Sequence, residues 1–198
     1  SFFNPKSVAI VGASRQKSKV GYEILANMLD AGYEGKIFPV NPKADEIEGL
    51  KCYPDLPSIG EVPDLVVIII PAKFVPGIME ECARVGVKSV IIITAGFKEV
   101  GPEGKSLEDN IVQIARRGRI RVIGPNCLGV IAPANKLNAC FGGALPAAGA
   151  IGYLSQSGAL LAAILDMATA NEVGGSSLVS IGNKADVDEG DWGGALEE

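Results

Sequence analysis

The residues best placed to do chemistry in this chain are small ones at the ends of apolar runs. Ser7-Val8-Ala9-Ile10-Val11 is followed by Gly12-Ala13-Ser14, and Lys19-Val20-Gly21 then opens an amphipathic stretch. A strand, a glycine turn and a helix N-terminus make an anion site, because unpaired backbone N–H groups point at whatever sits there. A phosphate-bearing cofactor is the usual occupant. The turn departs from the dinucleotide fingerprint G-x-G-x-x-G, since Ser14 and Lys17 stand where its second and third glycines belong. The alternative is the first βα turn of an ordinary α/β domain, with Gly12 serving tight packing. Four more segments of the same kind close later apolar runs: Asn41-Pro42-Lys43, Pro71-Ala72-Lys73, Thr94-Ala95-Gly96 and Pro125-Asn126-Cys127. Asn41 and Lys43 occupy the region where an NAD site carries Asp or Glu for the ribose hydroxyls. A cation there suits a phosphate better than a diol, although a solvated loop lysine reads the same way. A second strand–turn–helix pattern follows at Ser155-Gln156-Ser157-Gly158. It is an anion site by the same physics, or a helix whose first turn a serine caps.

The chain has no histidine. No Ser/His/Asp triad, Cys/His dyad or His-ligated metal can be assembled from it alone, so no metal and no catalytic residue are assigned here.

The elements that must hold these segments follow from periodicity. Val20, Ile24, Leu25, Met28 and Leu29 recur at helical spacing over Lys19–Ala31, and Gly32 ends the pattern. Lys36–Val40 reads as a strand, and Asp64–Ile70 as one buried on both faces, because its β-branched run is unbroken. Helices are expected over about Phe74–Val85 and Glu103–Arg117, with strands at Ser89–Ile93 and Arg121–Ile123. Such alternation predicts an α/β protein with a doubly wound parallel sheet, whose ligands collect beyond the carboxyl ends of the strands. One cleft can gather all five segments. Ala132–Gly149, rich in Ala, Pro, Gly and Asn, reads as a linker. Beyond it a strand at Ala150–Leu154, a helix at Ala159–Ala170 and a strand at Ser177–Ile181 make a second, incomplete α/β unit. The acidic, glycine-rich stretch Asp188–Glu198 predicts no further element.

At 198 residues the chain can bury a proper core, and an apolar content of 47% fits a globule over a disordered chain. Its longest apolar run falls far short of a membrane span, and no secretion signal is legible. Cys52, Cys82, Cys127 and Cys140 are scattered without a C-x-x-C pair, which favours free thiols in a reducing, cytoplasmic setting. A net charge of −5 argues against a nucleic-acid partner.

Taken in order, the motifs resemble those of the NDP-forming acyl-CoA synthetases, especially ADP-forming acetate–CoA ligases and more distantly the α subunit of succinyl-CoA synthetase. The matching segments are Val11–Ser14, Lys19–Gly21, Asn41–Lys43, Pro71–Pro76, Ile93–Phe97, Gly124–Gly129, Ser155–Gly158 and Gly182-Asn183-Lys184-Ala185-Asp186. The resemblance implies a Rossmann-like CoA-binding domain at residues 1–135 and the beginning of a flavodoxin-like ligase domain at 146–198. It implies a ligase that converts acyl-CoA, phosphate and ADP into acid, CoA and ATP through an acyl phosphate and a phosphohistidine. Coenzyme A is the implied cofactor, with Mg and ADP or ATP entering only with a separate nucleotide-grasp module, and an oligomer is expected. Gly12, Ala13, Ser14, Lys19, Val20 and Gly21 would line the CoA phosphates, with Asn41 in that loop and Lys43 as counter-charge. Pro71, Ala72 and Lys73 would flank the adenine and pantetheine channel beside Thr94, Ala95 and Gly96. Asn126 and Cys127 would face the reactive end, and Ser155, Gln156, Ser157 and Gly158 would hold the phosphoryl group. Cys127 is either a nucleophile or a small packing thiol beside the pantetheine. The family's phosphorylated histidine has no counterpart among these residues, so this chain alone is expected to bind CoA without turnover. Two other readings stay open: a stand-alone or regulatory CoA-binding module, and an NAD-dependent oxidoreductase or redox sensor.

Overall fold

A computed structural model describes residues 2–192. The strands are β1 (Ser7–Val11), β2 (Lys36–Val40), β3 (Glu46–Ile47), β4 (Leu50–Lys51), β5 (Leu65–Ile68), β6 (Ser89–Ile92), β7 (Arg121–Ile123), β8 (Gly129–Ala132), β9 (Leu137–Cys140), β10 (Ala148–Ser155) and β11 (Gly175–Ser180). The helices are α1 (Val20–Asp30), α2 (Val75–Val85), α3 (Pro102–Gly118) and α4 (Gly158–Ala170). A single 3-10 turn at Glu189–Trp192 follows the last strand, and residues 193–198 of the acidic stretch lie outside the described residues.

Five strands form one wholly parallel sheet in the order β2-β1-β5-β6-β7. Side chains alternate between its two faces, as a period of two requires. Ala9, Val11, Val66, Ile68, Val90, Ile92 and Val122 point to one side and pack with Met79 and Cys82 of α2 and Ile111 and Ile114 of α3. Val8, Ile10, Leu65, Val67, Ile91 and Ile123 point to the other and pack with Ile24, Leu25 and Met28 of α1. Because both faces are covered, every residue of β1, β5 and β6 is buried, which is why those strands carry unbroken β-branched runs.

The linker expected at Ala132–Gly149 is where structure and sequence reading part. Val130 and Ala132 of β8, Leu137 and Ala139 of β9, and Val179 and Ile181 join the same apolar layer as α1. This hairpin belongs to a second, four-stranded sheet in the order β10-β11-β8-β9, with β10 and β11 parallel and the other pairs antiparallel. The second unit is therefore larger than two strands and a helix. The second sheet does the work of a helix: its inner face covers the part of the parallel sheet that α1 leaves open. Its outer face, with Ile131, Cys140 and Leu178, is closed by Leu161 and Leu165 of α4. Alternation was masked in the sequence because both faces of β8 and β9 are buried. The Pro-rich connection after β2 likewise holds the β3–β4 hairpin, too short to announce itself.

Among the described residues no helix is long and apolar enough to cross a membrane.

Candidate functional site

In the order β2-β1-β5-β6-β7, the chain leaves β1 toward one edge of the sheet and leaves β5 toward the other. The two departures make the carboxyl ends of β1 and β5 the switch point, the position at which doubly wound sheets bind ligands. Gly12 sits there. Its φ is +98°, and a Cβ on it would stand 2.2 Å from the Ile69 carbonyl oxygen, so a side chain is excluded by conformation and by space. Its own N–H donates to Val40 O at 3.0 Å and Ile69 N–H donates to Val11 O at 2.8 Å, locking the turn between both neighbouring strands.

The close approach that a third fingerprint glycine would permit is supplied by Gly21. A Cβ there would lie 2.0 Å from Gly12 O and 3.3 Å from Ala13 Cα. The first turn of α1 thus rests on the glycine turn. Lys19 is the N-cap and makes no side-chain capping bond. An uncapped helix start, brought against a glycine turn, presents the donors and the partial positive charge that an anion requires.

Neighbouring loops are tied to this turn. Asn41 Nδ2 donates to Ala13 O at 2.8 Å while Asn41 Oδ1 accepts from Lys43 N–H at 2.9 Å. Arg15 reaches across to Lys43 O at 3.1 Å, and Ser14 Oγ accepts from Gln16 N–H at 3.0 Å. Asn41 is therefore a strut for the turn, and the ammonium groups of Lys19 and Lys43 belong to exposed side chains beside it. After β5, Pro71 leads into a 3-10 turn, where the Lys73 ammonium lies 4.9 Å from the exposed Phe74 ring centroid. Thr94 Oγ1 donates to Ile70 O at 2.7 Å, and Gly96, at φ +107°, lies so near Ala72 that a Cβ would be 3.2 Å from its methyl. Asn126 N–H donates to Thr94 O at 2.9 Å. All five segments singled out in the sequence thus lie along one edge, joined in pairs by hydrogen bonds or close contact. Ala13 and Cys127 are buried, so any contribution of theirs to a ligand is through backbone or packing.

Cys127 is placed as a packing thiol. It is 5% exposed, its Sγ donates to Ile92 O at 3.2 Å, and burial pushes its pKa well above the ordinary thiol value. Burial also pushes Cys82 up to about 12, Cys140 to about 11, and raises Cys52. Because the reactive form is the thiolate, all four are protected both sterically and by protonation. The native chain at pH 8 should react negligibly with a disulfide-exchange reagent, and should yield all four thiols once unfolded. Rapid modification of Cys127 in the native chain would overturn this placement.

The second turn differs from the first. Ser157 Oγ accepts from Leu160 N–H at 3.3 Å, and Ser155 Oγ both accepts from Ser157 N–H at 3.1 Å and donates to Ser157 O at 2.9 Å. Ser157 is thus the N-cap of α4, as the capping alternative expects, while Gln156 is exposed. Gly158 is fitted against Leu128, whose side chain a Cβ would meet at 2.9 Å.

Gly182–Asp186 was legible only as a motif. It is a docking segment. Asn183 N–H donates to Pro125 O, Ala185 N–H to Gly124 O and Val187 N–H to Val122 O, at 2.8, 3.0 and 3.2 Å. Asp186 accepts from Arg121 Nε at 3.0 Å and from Val122 N–H at 2.9 Å. A hollow of about 440 Å³ lined by Asn4, Lys6, Tyr33, Lys36 and Lys136 lies at the opposite end of the sheet. Its lysines are engaged with Asn4, Glu61 and Glu34. Among the described residues no cluster of His, Cys, Asp or Glu is arranged to hold a metal ion.

The fold is that of a doubly wound α/β domain docked to a second α/β unit. Comparison with known proteins is specific. Residues 6–133 match the CoA binding domain family and residues 148–198 match the succinyl-CoA ligase like flavodoxin domain. The chain belongs to the NDP-forming acyl-CoA synthetase family. It is 51% identical to an ADP-forming acetate–CoA ligase of Methanocaldococcus jannaschii, over 94% of this chain and 26% of that protein. It is 47% identical to the α subunit of ADP-forming acetate–CoA ligase I of Pyrococcus furiosus, over 96% of this chain and 42% of the subunit. Acetyl-coenzyme A synthetase 1 of Ca. Korarchaeum cryptofilum, solved with phosphate and ADP, superposes with a TM-score of 0.95 at 42% identity, over 99% of this chain and 42% of that one. The chain thus spans between 26% and 42% of the length of these relatives.

Proposed function

We propose that this chain is the CoA-binding portion of an ADP-forming acyl-CoA synthetase, working in the cytoplasm with a nucleotide-grasp domain or subunit that brings Mg and ADP. The observation that carries the reading is the glycine turn at the switch point, with an uncapped helix start pressed onto it through Gly21. Gly12 and Gly21 let the helix start close onto the turn, and N–H donors at a helix start suit the diphosphate of such a ligand. The division into a binding domain at 1–135 and a ligase domain from 146 belongs to the same proposal, with β8 and β9 joining the two.

When bound, CoA supplies the thiol that carries the acyl group. The chain's own residues bind and orient it. In this reading Gly12, Ala13, Ser14, Lys19, Val20 and Gly21 line the phosphates, Asn41 holds the turn in shape, and Lys43 offers the counter-charge. Pro71, Ala72 and Lys73 flank the channel with Thr94, Ala95 and Gly96, and the pantetheine runs toward Asn126, with Cys127 packing beneath. Ser155, Gln156, Ser157 and Gly158 form the phosphoryl-side turn, their geometry fixed by the Ser157 cap.

Thermal unfolding with CoA, dephospho-CoA and NAD tests this. At ~100 times its dissociation constant a ligand adds about 2.7 kcal/mol of stability. CoA should raise the unfolding temperature, dephospho-CoA less if Lys43 meets a phosphate, and NAD not at all. A rise with NAD alone would overturn the reading in favour of an oxidoreductase.

A further inference from the structure

The Asn183 side chain brings the candidate edge, α3 and the second unit together in a single amide. Its Nδ2 donates to Glu99 Oε2 at 2.6 Å and to Glu108 Oε2 at 2.9 Å, and its Oδ1 accepts from Asn126 Nδ2 at 3.3 Å. Its backbone carbonyl accepts from Lys98 Nζ, which also pairs with Glu108 Oε1 at 3.2 Å. Asn183 is 7% exposed and Glu108 5% exposed, so the junction is largely withdrawn from water. Glu99 has a second task. Its Oε1 accepts from the N–H groups of Gly96 and, at 3.1 Å, Phe97. One carboxylate thus holds the Thr94–Phe97 loop with one oxygen and the second unit with the other.

We propose that Asn183 is a positioning residue that couples the Thr94–Phe97 loop to the docked second unit through Glu99, and sets Asn126 at the same time. The inference rests on the CoA reading for the identity of the ligand, and on the hydrogen bonds alone for the coupling. An amide is suited to this place because only a neutral group with both donors and an acceptor satisfies two carboxylates and one amide together. A ligand that orders the loop then strengthens the seating of the second unit, and the seating shapes the ligand edge, since such coupling is reciprocal.

The test compares Asn183→Asp with Asp186→Asn in the full chain. The first puts a third carboxylate against Glu99 and Glu108; the second weakens the same docking segment without touching the loop. Amide hydrogen exchange is read first, without ligand. Asn183→Asp should speed exchange of Gly96 and Phe97 by about tenfold or more, as expected when a hydrogen-bonded loop opens locally, while Asp186→Asn leaves them unchanged. Adding Glu99→Gln to Asn183→Asp restores a donor–acceptor pair at the wild-type net charge and should return most of the protection, which a general loosening of the fold would not allow. Calorimetry at 25 °C should show CoA binding weakened about tenfold by Asn183→Asp, roughly 1.4 kcal/mol, with Asp186→Asn lowering the unfolding temperature alone. If Asn183→Asp folds poorly, Asn183→Ala should show the same pattern with smaller changes. Unchanged exchange at Gly96 and Phe97, or equal effects of the two docking-segment variants, would overturn the coupling. A wild-type chain that fails to bind CoA would overturn the functional reading instead, with the exchange result still deciding the coupling.

Discussion

Gly21→Ala should abolish measurable CoA binding, with the dissociation constant raised about 100-fold or more, some 2.7 kcal/mol. The added methyl would start 2.0 Å from a backbone oxygen and 2.9 Å from a backbone carbon of Gly12. Neither can swing aside as the tip of a side chain would. Either α1 retreats from the turn or the turn deforms, and in both cases the helix start loses its seat on the glycine turn. The effect on stability is smaller than the effect on binding. Overpacking of this kind costs about 1–3 kcal/mol, and the better helix propensity of alanine returns up to ~1 kcal/mol of it. Gly77→Ala is the matched control: it also lies in a helix, nothing stands within 4 Å of its would-be Cβ, and it should be neutral or slightly stabilising. Calorimetric titration of the two variants settles the matter. A Gly21→Ala chain that binds CoA within threefold of wild type would show that the helix start is not the anion site.

Phe97→Ala should cost about 3–5 kcal/mol, the range for truncating a buried aromatic ring. The side chain is wholly buried in the layer formed with Val75, Met79 and Ile111. Its backbone is as constrained as its ring: the N–H donates to Glu99, and the carbonyl oxygen lies 1.9 Å from where a Cβ of Gly104 would stand. The cavity cannot close by drawing in α3, whose first turn already touches the Phe97 backbone. Urea unfolding reads the loss directly as a lower midpoint at unchanged slope. A loss below ~1 kcal/mol would mean that the loop repacks, contrary to the constraint described. Because Phe97 follows Thr94-Ala95-Gly96, the same variant should weaken CoA binding, tying a core contact to the ligand edge.

Much of this was legible in the chain itself. The unbroken run around Leu65–Ile68 announced a strand covered on both sides, and the spacing of Ile24, Leu25 and Met28 announced the helix that covers one of them. Parallel strands then forced the small-residue segments onto a common edge. The departure from the dinucleotide fingerprint was legible too, but its compensation was not. Nothing local in Lys19-Val20-Gly21 says that Gly21 will approach Gly12 O, because that distance is set by how α1 lies on the sheet.

The sequence by itself determined the features that depend on near neighbours: strand and helix periods, the glycine turn, the serine cap at Ser157, the lack of any histidine, and the order of motifs that marks the family. The tertiary structure alone decided the features that depend on distant partners. It turned a stretch that reads as a linker into the β8–β9 hairpin, because both its faces find apolar cover and neither shows the alternation that a half-exposed strand would. It also made Asn183 a junction, since Glu99, Glu108 and Asn126 lie 84, 75 and 57 residues away along the chain. Spacing in sequence encodes contacts within an element; contacts between elements arise only when the layers close, and there the binding edge and the second unit become one network.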